Sequence, residues 1–245
     1  MIELIDIYKS FGENKVLRGT NLVIETGETI VVIGRSGCGK SVLIKHIVGL
    51  LIPDSGTVKV EDLIVNEMNQ KQLYQLRKRF GFLFQGAALF DSMTVEENIS
   101  LPLAESRNEY SNSDISKLVE EKLEMVDLPG AQQLKPAELS GGMKKRVGLA
   151  RALITNPDYI LYDEPTTGLD PIMSDSIDTL IKELTDNLNV TSVVVTHDMY
   201  SVKNVANKVA MMNEGIIYFV GSQEELINSD DAIIQEFIKR TEVKN

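Results

Sequence analysis

Short runs of β-forming residues between Ile2 and Glu28 are separated by the turn residues Gly12 to Asn14 and by Gly27. They lead into a wholly apolar run, Ile30 to Ile33, that reads as a buried strand. A glycine loop follows, and then a predicted helix from about Lys40 to Leu50. Pro53 sets its limit, because the residue before a proline disfavours helical geometry, and Pro53, Asp54, Ser55 and Gly56 read as a turn. Between Gln85 and Leu139 the period becomes helical, with Ile115, Leu118, Val119, Lys122 and Val126 on one stripe to which Lys122 contributes its stem. The apolar runs Tyr159 to Tyr162 and Val193 to Thr196 flank a helix around Ser174 to Leu188, a βαβ rhythm that implies a parallel sheet. The pattern is that of an α/β core split by a helical insert at about 86–155. Ser222 with Glu225 forms a capping box, and Ile233, Ile234, Phe237 and Ile238 give the 222–245 tail an apolar helical stripe.

Composition narrows the function. With 245 residues and 43% hydrophobic content the chain is long enough for a sizeable core, and no Gly-, Ser- or Pro-rich linker divides it, so we expect one domain over 1–245. Its one cysteine, Cys38, excludes an internal disulfide and fits a reducing compartment. The start, MIELIDIYKS, lacks the features of a signal peptide, and no apolar run is long enough to cross a bilayer. A net charge of −11 argues against nucleic acid as a partner and against adhesion to anionic lipid headgroups, which leaves docking onto another protein.

Three motifs carry chemistry. Gly34, Arg35, Ser36, Gly37, Cys38, Gly39, Lys40 and Ser41 fit G-x-x-x-x-G-K-[ST] between a strand and a helix. The glycines let backbone N–H groups converge on phosphate oxygens at a helix N-terminus; Lys40 suits the β and γ phosphates of ATP and the Ser41 hydroxyl suits Mg²⁺. Ile160 to Glu164 is a strand ending in two carboxylates, with Asp163 suited to the Mg²⁺ sphere and Glu164 to polarising the attacking water. Leu139 to Met143 precedes a helical run from Lys144 to Leu153: Ser140 is a natural N-cap, and Gly141 and Gly142 leave amides open to an anion, although alone the segment reads as a capped helix.

The order of phosphate loop, Gln85, LSGGM, LYDEP, Gly168-Leu169-Asp170 and His197 resembles the ABC transporter ATPases along nearly the whole chain. The resemblance implies an α/β P-loop NTPase fold of the ABC type, with a β-rich N-terminal part, a parallel-sheet core and a helical insert. It implies ATP hydrolysis with Mg²⁺ by a homodimer in which Ser140, Gly141 and Gly142 of one copy close over the γ-phosphate held by the other. By the same resemblance Phe11 stacks on adenine, Gln85 touches Mg²⁺ and the attacking water, Asp170 lies at the dimer interface, and His197 holds the γ-phosphate. Met143 stands where glutamine is commoner, and Thr167-Gly168 where serine-alanine is frequent; neither change removes a phosphate contact. His46 reads as a packing or surface residue, and Cys38 as a tolerated variable position.

Gly34 to Leu50 and Phe82 to Leu103 are most similar to the ATPases of MCE-associated, Mla-type lipid transporters. That implies a cytoplasmic subunit, peripheral on the inner face of the cell membrane, bound to two permease copies. An MCE-domain lipid-binding protein and a small STAS-domain regulator are the further partners implied. The surface around Ala87 to Val95, with Leu89, Phe90 and Met93, is the expected permease contact. Two roles stay open for Ile233 to Ile238: reaching across to a partner subunit, or packing on their own domain. A polar-solute importer would share every catalytic residue. A DNA-organising ABC ATPase would need a long coiled-coil insert and basic surfaces, and a non-hydrolysing regulator would tend to lose Glu164.

Overall fold

The computed structural model describes residues 1–106 and 110–242. Strands β1 (Ile2–Phe11) and β2 (Asn14–Ile24) pair antiparallel, with Phe11 opposite Asn14 across the turn. The chain then enters a second sheet as β3 (Thr29–Ile33), buried at every position, and runs through the phosphate-loop segment into α1 (Lys40–Ile47). β4 (Ser55–Val60) returns to the free edge of β1 and β5 (Leu63–Ile64) completes a four-stranded sheet of order β2-β1-β4-β5. α2 (Gln70–Lys78) leads to β6 (Phe80–Leu83), beyond which the helices α3 (Val95–Ser100), α4 (Asn112–Met125) and α5 (Gly141–Leu153) follow. β7 (Tyr159–Asp163), α6 (Pro171–Leu188), β8 (Thr191–Thr196), α7 (Met199–Val205) and β9 (Lys208–Asn213) alternate, so that β6, β7, β8, β3 and β9 run parallel. β10 (Ile216–Gly221) closes this sheet antiparallel to β9, giving the order β10-β9-β3-β8-β7-β6, and α8 (Gln223–Ile227) and α9 (Ala232–Glu242) end the described chain.

The alternation of side chains along the central strands builds two cores. Ile30 and Val32 of β3, with Leu161, Val193 and Val195, pack with α1 and the antiparallel sheet. Val31, Ile33, Ile160, Tyr162 and Val194 pack with α5, α6 and α7 on the opposite face. Both faces of β3 and β8 are covered, which is why these strands read as continuous apolar runs, and each buried aliphatic side chain contributes roughly 2 kcal/mol.

Two expectations shift. α1 stops at Ile47, three residues before Leu50, because Gly49 adopts φ +61° and closes a left-handed cap: Gly49 N–H bonds to His46 O at 3.0 Å and Leu50 N–H to Lys45 O at 2.9 Å. Glycine, not Pro53, ends the helix. Ser55 and Gly56 likewise open β4 rather than finishing a turn. The capping box of Ser222 and Glu225 forms at α8, and Ile234, Phe237 and Ile238 are buried in this chain's own core, with α9 against α7 and α8. No helix among the described residues is long and apolar enough to cross a membrane.

Candidate functional site

The carboxyl ends of β3, β7 and β8 meet at one end of the parallel sheet, where clefts of α/β folds bind ligands. A cavity of about 270 Å³ there is lined by Phe11, Val16, Ser36, Gly37, Gly39, Lys40, Ser41, Val42, Gln85 and Glu164. The phosphate loop curls as its glycines predict. A Cβ on Gly34 would fall 2.4 Å from the Met212 carbonyl oxygen, so the loop can leave β3 only through glycine.

Lys40 is 5% exposed; its ammonium donates to Gly34 O at 2.9 Å and lies 3.3 Å from Glu164 Oε1. Ser41 Oγ donates to Asp163 Oδ1 at 2.6 Å, which joins the start of α1 to the end of β7. The second Glu164 oxygen, Oε2, accepts from His197 Nδ1 at 2.8 Å and from Thr167 Oγ at 3.1 Å. Glu164 sits in left-handed backbone, φ +49°, a conformation costing a non-glycine residue on the order of 1–3 kcal/mol and kept only where neighbours over-determine it. Here Val195 O accepts its N–H at 2.9 Å, and its own carbonyl accepts from Lys145 Nζ at 3.2 Å.

Lys145 is a contributor that the motifs do not reveal. It is 5% exposed on α5, and its ammonium also donates to the Gln85 carbonyl, so one cation ties the Gln85 segment to the Glu164 turn. Burial pushes its pKa down, while Asp163 and Glu164 oppose that shift. Its phase was readable: Gly142, Lys145, Leu149 and Ala152 recur on the buried side of α5.

The remaining predicted residues are distributed as follows. Arg35 points outward and pairs with Glu236 of α9 at 3.0 Å. Cys38 is partly buried beside Gly34, and burial raises its thiol pKa against the opposing pull of Lys40. Ser140 caps α5 by accepting from Met143 N–H at 3.2 Å, and Asp170 caps α6 by accepting from Met173 N–H at 3.0 Å. Neither of these two lines the cavity, nor do Gly141 and Gly142, although the two caps adjoin: a Cβ on Gly141 would meet Leu169 at 3.3 Å. Phe11 and Phe90 are exposed, whereas Leu89 packs partly into the core. His46 is fully buried on α1, with Nδ1 on Val42 O at 2.7 Å.

A larger cavity, about 370 Å³, lies at the amino ends of β7 and β8. Its charged groups already satisfy one another: Arg79 pairs with Glu61 and Asp158, and Lys122 bonds to Glu121 and Asn156. The smaller cavity has the buried ammonium of Lys40 and the glycine cradle that a polyphosphate needs.

Comparison with known proteins points the same way. The family pattern described as ABC transporter matches residues 17–167. The intermembrane phospholipid transport system ATP-binding protein MlaF of Haemophilus influenzae is 37% identical over 239 residues, 98% of this chain and 90% of that protein. The probable ribonucleotide transport ATP-binding protein mkl of Mycobacterium leprae is 38% identical over 237 residues, 97% of this chain and 68% of that protein. Among solved structures, the dimeric post-hydrolysis state of the ATP-binding cassette MJ0796 bound to ADP and Pi matches with a TM-score of 0.83 and 33% identity, covering 91% of this chain and 98% of that one. A family match over more than half of the residues, on a fold that gathers the phosphate loop and paired acids into one cleft, has one meaning: the chain belongs to the ABC transporter family, as an ATP-binding subunit that hydrolyses ATP.

Proposed function

We propose that this subunit hydrolyses MgATP in sites shared between two copies of itself, and that closure of the pair drives a membrane permease that moves phospholipid between membranes. The observation carrying the ATPase part is that Lys40, Ser41 and Glu164 line one cavity, with Asp163 bonded to Ser41 and His197 to Glu164. A hydroxyl and a carboxylate oxygen 2.6 Å apart are hard donors suited to Mg²⁺ with the rest of its shell from phosphates, and Gln85 borders the same space. When bound, the ion would neutralise charge that develops on the phosphates.

The chain's own residues do the following. Loop amides from Gly34 to Ser41 hold the phosphates, and Phe11, half exposed at the cavity edge, stacks on the base. Arrival of the triphosphate draws Lys40 from Glu164 to the β and γ phosphates, which frees Glu164 Oε1 to accept a hydrogen bond from the attacking water. His197, held by Glu164 Oε2, faces the γ-phosphate. Ser140, Gly141 and Gly142, which lie away from this cavity, complete the site of the partner copy, and Asp170 lies between the two copies.

Residues 1–245 act as one ATPase domain in this reading, with the helical part at about 86–155 facing the permease on the inner face of the membrane. Similarity to MlaF along 90% of that protein supports phospholipid as cargo; an MCE-domain protein and a STAS-domain regulator are the further partners proposed, on the resemblance of Gly34 to Leu50 and Phe82 to Leu103. The name of the mycobacterial relative favours a second reading, an ATPase that serves transport of a polar solute such as a ribonucleotide. Co-purification and mass spectrometry of proteins and bound small molecules separates the two. A permease with an MCE-domain protein and phospholipid is expected, and is lost with Phe90→Asp, whose parent side chain is 51% exposed in the proposed docking surface. A polar-solute permease would overturn the lipid reading and leave the ATPase assignment intact.

A further inference from the structure

Just beyond Gln85 the backbone adopts a form that its residues disfavour. Ala87 and Ala88 both lie in the left-handed region, at φ +58° and +49°, where the Cβ of an L-residue crowds the following carbonyl. Neither is glycine, so the pair persists only where neighbours hold it. The hold is Arg151 of α5. Its guanidinium donates from one terminal nitrogen to Ala87 O at 2.6 Å and from the other to Ala88 O at 2.7 Å, and a planar fork suits two neighbouring carbonyls. Burial lowers the Arg151 pKa, and no acid among the described residues opposes that shift.

The same side of α5 holds Gln85. Lys145 donates to the Gln85 carbonyl, and between the two cations a Cβ on Gly148 would fall 2.9 Å from Leu83 Cδ1 and 3.2 Å from Ala87 Cβ, so glycine lets the helix come this close. Ala87 N–H closes the turn on Phe84 O at 2.8 Å, with Gln85 and Gly86 inside it. Gln85 lines the cavity, whereas Arg151 does not. One helix therefore pins this turn twice, at Gln85 through Lys145 and at Ala87 and Ala88 through Arg151.

We infer that Arg151 is a positioning residue for ATP hydrolysis: by holding Ala87 and Ala88 left-handed it keeps the turn from Phe84 closed and Gln85 at the edge of the cavity. Without the guanidinium both carbonyls lose a charged donor, the alanines relax toward the right-handed or extended regions, and Gln85 moves with the turn. The inference rests on the hydrolytic reading of that cavity and deepens it by naming what sets the place of Gln85.

The test is a double-mutant cycle on the purified full chain, with kcat and KM for MgATP expressed per nucleotide-binding site counted by calorimetric titration, for the wild type, Arg151→Gln, Ala88→Gly and the double variant. Arg151→Gln should lower kcat about tenfold with KM unchanged. Ala88→Gly removes the left-handed penalty at one of the two positions, so in the Arg151→Gln chain it should regain about fivefold. In the wild type the same change should gain much less, because Arg151 already holds the turn. Arg151→Lys keeps the charge and lacks the planar fork; its kcat should fall between the two, and it carries the cycle if Arg151→Gln does not fold. An unchanged kcat, a loss of binding sites that accounts for the whole fall, or the same effect of Ala88→Gly in both backgrounds would overturn the positioning role and leave the hydrolytic reading standing. A wild type that binds MgATP and hydrolyses none would overturn both.

Discussion

His197 Nδ1 and Glu164 Oε2 are joined at 2.8 Å, while the other oxygen of the same carboxylate lies 3.3 Å from the ammonium of Lys40. One acid is thereby shared between the end of β8 and the phosphate loop, at a turn whose backbone is itself strained. Both oxygens of the carboxylate are engaged, so the proposed mechanism requires Lys40 to move before one of them can accept from water.

Glu164→Gln keeps the shape of that group and loses its charge. Nucleotide binding should persist, turnover should fall by about 10²-fold or more, and MgATP should trap a dimer visible by analytical ultracentrifugation. A monomer at saturating MgATP, with hydrolysis blocked, would contradict closure of two copies around the nucleotide.

Lys145→Met removes the buried cation shared by the Gln85 and Glu164 carbonyls and leaves the Glu164 carbonyl with the Thr167 N–H alone, at 3.3 Å. Loss of a buried partner costs about 1–3 kcal/mol, so the unfolding midpoint should drop. Because Lys145 does not line the cavity, kcat should fall more than nucleotide affinity does; calorimetric titration beside kinetics separates the two.

Much of this arrangement is legible in the sequence because it is local. A strand, a glycine loop and a helix in succession fix Lys40 and Ser41, and an apolar strand ending in Asp163-Glu164 announces its own exit from the sheet. The amphipathic stripe of α4 buries Val119, Lys122 and Leu123 as its period requires. What stays hidden depends on partners distant in the chain. Lys145 stands between Lys144 and Arg146, and helical phase places it on the buried side of α5, but the carbonyls it binds, of Gln85 and Glu164, come from segments that the local pattern does not connect. Asp178 is fully buried among the apolar residues Ile177, Leu180 and Ile181 of α6, a placement that its local pattern does not announce. The end of α1 was readable at Gly49, but Pro53 is the louder signal and masks it.

Asp178 also makes stability depend on pH. Its folded pKa, about 7, lies above the usual carboxylate value of 3.8, so between these limits the folded chain holds a proton that the unfolded chain has released. The penalty for folding is absent below the lower value, grows as pH rises, and is complete above the upper one, where it reaches up to about 4 kcal/mol. Asp178→Asn should therefore match the wild type in urea unfolding near pH 4 and exceed it at pH 8. Equal differences at both pH values would show that the carboxyl does not titrate in that range.

The central claim, that each nucleotide is held by the phosphate loop of one copy and the Ser140 turn of the other, is tested most directly by mixing lesions. Lys40→Ala removes the phosphate cation, and Ser140→Arg blocks the contact to the partner's nucleotide, so each homodimer should be inactive. An exchanged equimolar mixture places both lesions in one site of every mixed dimer and leaves the other site whole, and should recover about a quarter of wild-type ATPase activity. A mixture no more active than either homodimer, with exchange verified by differently tagged chains, would contradict sites shared across the pair.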